Sequence, residues 1–127
     1  MLLVKTHMGY SPIHGIGVFA EEALPKGTPV WRYEPTVDHR FGQAQIAMFP
    51  KIFQDYVQHH ALPLPTIPDT LLCGDNARYI NQQDVPTLVP QGDEWVANVD
   101  IQADDELTLD YDIPYDEKFS IAPPKSE

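Results

Sequence analysis

The chain has 127 residues, 43% hydrophobic and 10% aromatic, with 8 Lys and Arg against 19 Asp and Glu, a formal charge of −11. That length is one domain's worth and buries roughly two thirds of its unfolded surface without staples, and the single Cys73 excludes an intramolecular disulfide or a cysteine-rich zinc site. The acidity disfavours direct nucleic-acid binding, and no apolar run nears the ~20 residues of a membrane span, so an intracellular, cytoplasmic protein with no membrane partner is expected.

Residues 2–5 read as a short first strand. "SPIHGIGVFA" follows, where Gly15 and Gly17 precede an apolar run and suggest a hairpin or a close backbone approach. "ALPKG" is turn chemistry, and "TPVWRYE" is a strand with Trp31 and Tyr33 alternating. From 43 to 60 the pattern becomes helical, with Ile46, Phe49, Phe53, Tyr56 and Val57 near helical spacing; Pro50 predicts a break or a new start there. "ALPLPTIPDT" is a proline-rich connector and "TLLC" a short apolar strand. "DNARYINQQDVPTL" mixes amides and carboxylates with Tyr79 and Ile80, too apolar for a solvated loop and too polar for a buried strand. "EWVANVDI" alternates Trp95, Ala97 and Val99 as a strand with one covered face, "ELTLDY" is a last short strand, and the tail shows little regular pattern. Thirteen prolines favour short strands over long helices. The prediction is a mainly β fold with one short helical insert.

The residue chemistry is less pointed. Gly15 and Gly17 make no dinucleotide fingerprint, lacking the third glycine and the following helix. His7, His14, His39, His59 and His60 have no metal-binding spacing; His59 and His60, adjacent and about 100° apart on a helix, read as a surface pair. Carboxylates cluster at Asp93-Glu94, Asp104-Asp105-Glu106, Asp110, Asp112 and Asp116-Glu117. A hydrolase would need two of them ~5 to 9.5 Å apart across a cleft, whereas such runs usually face solvent. Tyr111 ends the apolar alternation of Leu107 and Leu109, and taken alone reads as a half-buried core tyrosine.

Three blocks in order change this reading. "SPIHGIGVFA-EEALPKGTPVWRYE", "ARYINQQDVPT" and "IQADDELTLDYD" resemble the motifs of the SET domain, the lysine methyltransferase module. The match runs over residues 4–115, with 1–116 as the domain, its helical insert at 43–60, and 117–127 as a tail. The resemblance implies a SET-type (β-clip-like) fold of several small sheets, in which the Asn81 and Tyr111 segments meet in a C-terminal pseudoknot, and S-adenosyl-L-methionine as cofactor with no metal. It places His14, Gly15, Ile16, Gly17, Arg78, Tyr79, Asn81, Gln82 and Phe119 at the cofactor. Tyr111 is implied as the catalytic tyrosine, with Leu109, Tyr111 and Tyr115 along the substrate channel. Leu109 has no hydroxyl to hold a water, which implies tolerance for multiple methylation.

The sequence departs from the family motifs at Gln82-Gln83, where His-Ser is usual, at Thr87, where Asn is usual, and at Asp104-Asp105. The implied activity is lysine N-methylation of a basic, Lys-containing protein segment, by a monomer or homodimer. If the substrate is a DNA-binding protein, the enzyme would sit at the nucleoid or chromatin. The alternative reading is a weak or inactive SET-like protein-binding module.

Overall fold

The computed structural model describes residues 1–63 and 69–112. In chain order these form β1 (Thr6–Tyr10), β2 (Ile16–Ala20), β3 (Pro29–Arg32), β4 (His39–Gly42), α1 (Gln43–Ile46), α2 (Lys51–His60), β5 (Leu62–Pro63) and β6 (Asp69–Leu72). A 3-10 helix (Asn76–Tyr79), β7 (Asn81–Gln82), β8 (Leu88–Gln91), β9 (Glu94–Ala97) and β10 (Glu106–Leu109) follow. The strands make three small sheets, in the orders β1-β2-β10-β7, β3-β9-β8 and β4-β6-β5. The mainly β architecture expected from the sequence is present. No helix among the described residues is long and apolar enough to cross a membrane.

The hairpin anticipated at Gly15 joins β1 to β2, with Thr6 opposite Ala20 and Tyr10 opposite Ile16. Gly15 takes φ +48°, a left-handed conformation that costs glycine little. The first strand therefore lies at Thr6–Tyr10 and not at residues 2–5. Leu2 makes only an isolated bridge to Trp31, and Leu3 donates its N–H to the Val30 carbonyl at 2.8 Å. The apolar side chains of Leu2 and Val4 pack against the core without belonging to a ladder. Strand identity follows the hairpin register and not the local apolar run.

The insert breaks as Pro50 predicts: α1 ends early, and Pro50 is the N-cap residue of α2. The Gln54 amide, one turn into α2, donates to the carbonyls of Ile46, Ala47 and Phe49 at 3.1, 3.2 and 3.1 Å and so satisfies the exposed end of α1. Phe41, Phe49, Phe53 and Tyr56 form a chain of edge-on and stacked rings that fastens α2 to β4. β4, β5, β7 and β8 are strands that the sequence patterns did not mark. β8 carries Pro90, and β4 reads "HRFG", without the alternation that signals a half-buried strand.

At the centre of the core Trp31 of β3 and Trp95 of β9 are fully buried and stacked, 3.9 Å between ring centroids at 17°. Their indole N–H groups have no acceptor among the described residues, which offsets part of the packing gain. The one-faced strand expected over "EWVANVDI" is covered on both faces: Trp95, Val96 and Ala97 are all buried, whereas Val99 lies beyond β9 and is half exposed. β9 is the central strand of its sheet, between β3 and β8.

β10 sits between β2 and β7. It runs antiparallel to β2, with Leu107 opposite Val18, and parallel to β7, with Thr108 opposite Asn81 and Leu109 opposite Gln82. A parallel neighbour requires a long crossover, which here contains the whole β8–β9 hairpin. The pairing carries Tyr111 to the Asn81 segment.

Candidate active site

The puzzling stretch from Asp75 to Leu88 resolves residue by residue. Asp75 caps the 3-10 helix: one carboxylate oxygen accepts from the Ala77 N–H at 3.1 Å, the other from the Leu2 N–H at 2.7 Å. Ile80 is buried, while Tyr79 is half-buried and packs its ring edge-on against His60, 5.7 Å between centroids. Arg78 donates from Nε to the Cys73 carbonyl at 3.0 Å and from Nη1 to the Tyr56 hydroxyl at 2.5 Å. Its Nη2 has no partner among the described residues.

The two glutamines act on the strand pair. Gln82 accepts the Tyr111 N–H at 2.6 Å through Oε1 and donates from Nε2 to Asp110 at 3.2 Å. Gln83 donates its backbone N–H to the Leu109 carbonyl at 2.9 Å, and its Oε1 accepts from the Thr108 hydroxyl at 2.9 Å. Thr87 joins the same network, exchanging bonds with Thr108 and donating to the Glu106 carbonyl at 3.1 Å. The departures at 82, 83 and 87 thus serve to fix β10 and the start of the Tyr111 turn.

Asn81 ties the hairpin to β10. Its side-chain amide faces the carbonyls of His14 at 3.0 Å and Ile16 at 3.2 Å and the Glu106 carboxylate at 3.0 Å. Glu106 also accepts from the Ser11 hydroxyl at 2.8 Å. Gly17 lies against this carboxylate: a Cβ there would sit 2.6 Å from a Glu106 oxygen and 3.1 Å from the Ser11 Cβ. Gly17→Ala is therefore expected to push Glu106 off Asn81 and Ser11 and to destabilise the protein by about 1–3 kcal/mol, read as a lowered thermal midpoint. An unchanged midpoint would mean that Glu106 swings aside freely.

These segments enclose a cleft of about 430 Å³. Of the residues implied at the cofactor, His14, Gly15, Ile16, Arg78, Tyr79 and Asn81 line it together with Tyr111. Gly17 and Gln82 stand behind it, against Glu106 and the Tyr111 turn. A second, narrow pocket of about 30 Å³ adjoins the cleft and shares Ile80, Arg78 and Tyr111 with it; Leu109 lines this smaller space. Phe119 and Tyr115 lie outside the described residues.

Tyr111 occupies the junction of the two spaces, and its hydroxyl donates to the Ile80 carbonyl. Burial first, and then the neighbouring Cys73, push the phenol up to about 12. The Cys73 thiol is itself driven upward, chiefly by its burial. Both groups thus remain protonated at neutral pH, and Tyr111 acts as a neutral hydroxyl.

Sequence reasoning missed His59 and His60, which line both spaces. His59 is exposed, as a surface pair requires, but His60 packs between Tyr56, 4.4 Å between centroids, and Tyr79. The i, i+4 spacing of Tyr56 and His60 was a signal available in the sequence. Glu106 and Ser11 were missed for another reason, since 95 positions separate them. Among the described residues no group of His, Cys, Asp or Glu is placed to hold a metal ion.

Three small sheets with a concave cleft, built by a glycine hairpin and a parallel strand pair that ends on a tyrosine, define a narrow structural class. The SET domain family profile matches residues 15–112, and the chain belongs to that family. A Plasmodium falciparum crystal structure described as a candidate histone methyltransferase is similar in fold, with TM-score 0.58 and 18% identity over 87% of this chain and 95% of that one. An active polycomb repressive complex 2 in its basal state gives TM-score 0.65 and 19% identity over 89% of this chain. A humanized Chaetomium thermophilum form of that complex, bound to the inhibitor GSK126, gives 0.64 and 19% over 90%. This chain spans only 16% of either polycomb chain. No curated protein sequence matches it.

Proposed function

We propose that this chain is an S-adenosylmethionine-dependent protein-lysine N-methyltransferase acting on a basic, Lys-containing segment. The carrying observation is the place of Tyr111, which lines both the large cleft and the narrow pocket while its hydroxyl is held by the Ile80 carbonyl. The larger space is within the ~300–1,000 Å³ range of small-molecule sites. Its donor set fits the amino-acid end of the cofactor. Arg78 Nη2 is available to a carboxylate, Asn81 Oδ1 is available to an ammonium, and the His14–Ile16 backbone forms the rim. The parallel β7–β10 pair supports the expected pseudoknot reading.

The cofactor supplies an electrophilic methyl group on a sulfonium. The substrate amine must present its lone pair in line with the carbon–sulfur bond that breaks, at ~3–3.5 Å, so geometry does most of the catalysis. Leu109 and Ile80 provide apolar walls that favour the neutral amine by desolvation. Tyr111, its proton directed at Ile80, keeps its lone pairs free to accept an amine N–H and so orients the nucleophile. The absence of a hydroxyl at Leu109 supports tolerance for more than one methyl. The charge of −11 favours a basic substrate segment through the long-range field. An intracellular site of action, beside whichever basic protein is the substrate, belongs to the same reading.

Calorimetric titration with S-adenosylmethionine tests the cofactor. Saturable binding at micromolar concentration, worth roughly 8 kcal/mol, is expected for the wild type, weakened at least about tenfold by Asn81→Ala. Methyl transfer to a Lys-rich peptide would then establish the reaction. Folded wild-type protein that binds no cofactor would leave the protein-binding module as the better reading.

A further inference from the structure

The cleft opposes the charge of the chain around it. His14, His59, His60 and Arg78 line it, and no carboxylate is among its described lining residues. Three of the chain's five histidines thus meet at one site in a protein of charge −11. Glu106, which contacts Asn81, is already engaged by Ser11 and that amide, and Asp55 pairs with Lys51 at 2.7 Å. A ligand that brings positive charge into the cleft meets cations and imidazoles without a compensating acid among the described residues.

His60 is the best placed of the three to act on such a charge. Its ring is wedged between Tyr56 of α2 and Tyr79 of the 3-10 helix, and its nitrogens have no hydrogen-bond partner among the described residues. The titratable and charged groups around it are Tyr56 and His59 on its own helix, Arg78 and Tyr79 from the 3-10 helix, Cys73 after β6, Tyr111 after β10 and His14 from the hairpin. The Arg78 guanidinium is pinned beside it by the Cys73 carbonyl and the Tyr56 hydroxyl. His59 donates from Nδ1 to the Asp55 carbonyl at 2.7 Å, which also fixes its ring.

We propose that His60 determines how strongly this cleft discriminates the sulfonium donor from its neutral thioether product. This rests on the methyltransferase reading above. The donor carries one positive charge more than the product, located at sulfur. A protonated imidazole adds a second fixed cation beside Arg78, so it opposes the donor while leaving the product's affinity largely unchanged. Burial first, then His59 and Arg78, hold the His60 imidazole below its ordinary value, so it is neutral at pH 7. The donor preference is therefore complete near neutrality and is lost as pH falls through the lowered value. Acidification then shifts the balance of occupancy from the donor toward its own product.

The test is the ratio of affinities for S-adenosylmethionine and S-adenosylhomocysteine, measured by calorimetry at pH 7.5 and pH 5.5. Partial acid unfolding weakens both ligands by the same factor and cancels in the ratio. For the wild type the donor-to-product ratio should fall between the two pH values, toward a limit about tenfold lower once His60 is fully protonated, the scale of one added charge at short range. His60→Gln should hold the ratio level, and His60→Lys should keep it low at both. His39→Gln, which alters a histidine stacked on Phe41 away from the cleft, should behave as the wild type. A ratio independent of pH in the wild type, or a fall that persists in His60→Gln, overturns the inference while leaving the cofactor assignment intact. Failure of both ligands to bind at either pH removes the cofactor assignment and this inference together.

Discussion

Tyr111→Phe is expected to lower methyl transfer to a Lys-rich peptide by about 10²-fold, the scale for losing the orientation of one reacting group. The affinity for S-adenosylmethionine should change by less than about threefold, because on the proposed reading the hydroxyl orients the amine and takes no part in donor binding. The physical basis is the position of the hydroxyl. It is anchored on the Ile80 carbonyl at the junction of cleft and narrow pocket. The backbone N–H of Tyr111 is held separately by Gln82, so the ring should stay in place when the oxygen is removed. Single-turnover kinetics with calorimetric donor binding separate the two effects. Equal losses in rate and donor affinity would make Tyr111 a binding residue and would move the catalytic role elsewhere.

The largest loss of stability is expected at Gly74. A Cβ on this residue would lie 1.7 Å from the Val37 carbonyl oxygen and 2.6 Å from its carbon, both backbone atoms that no rotamer change can move. The Gly74 N–H also donates at 3.0 Å to Asp38, a buried carboxylate that accepts from the Glu34 N–H at 2.9 Å as well. Gly74→Ala must therefore shift either the β6 exit or the Glu34–Asp38 turn, at a cost of about 3 kcal/mol. Urea unfolding followed by tryptophan fluorescence reads this directly, since Trp31 and Trp95 are both in the core. The consequence reaches the site, because Gly74 precedes Asp75, the cap of the helix that carries Arg78. Cofactor binding should weaken in the same variant. A midpoint unchanged from the wild type would show that the two turns separate at little cost.

The candidate site was legible in the sequence to the extent that it is local. The Gly15 hairpin, the break at Pro50, the "TLLC" strand and the final "ELTL" strand follow from conformational preferences within a few residues. The motif order around Asn81 and Tyr111 identified the family, and the family profile bears that out over residues 15–112. Local patterns failed where a distant partner decides. Residues 2–5 are apolar enough for a strand but have no ladder, because β2 pairs with the next five residues. β4 becomes a strand only through β6, with His39 opposite Leu72. Val96 lies on the face that the alternation of Trp95, Ala97 and Val99 leaves to solvent, yet only 6% of it is exposed in the folded chain.

The candidate site residues divide in the same way. Asn81 and Tyr111 were singled out by the order and chemistry of their motifs. That Gln82 and Gln83 hold the Tyr111 turn and β10 could be learned only from the parallel pairing of β7 with β10, which brings together positions 28 or 29 residues apart for Gln82 and 25 apart for Gln83. His60 gained its place for the same reason. A helix dictates that it shares a face with Tyr56, but only the packing of α2 against the 3-10 helix turns that face into a wall of the cleft. Short-range sterics and capping are written into consecutive residues. Which groups meet across the cleft depends on contacts between segments far apart in the chain, and those are set when the three sheets close around Trp31 and Trp95.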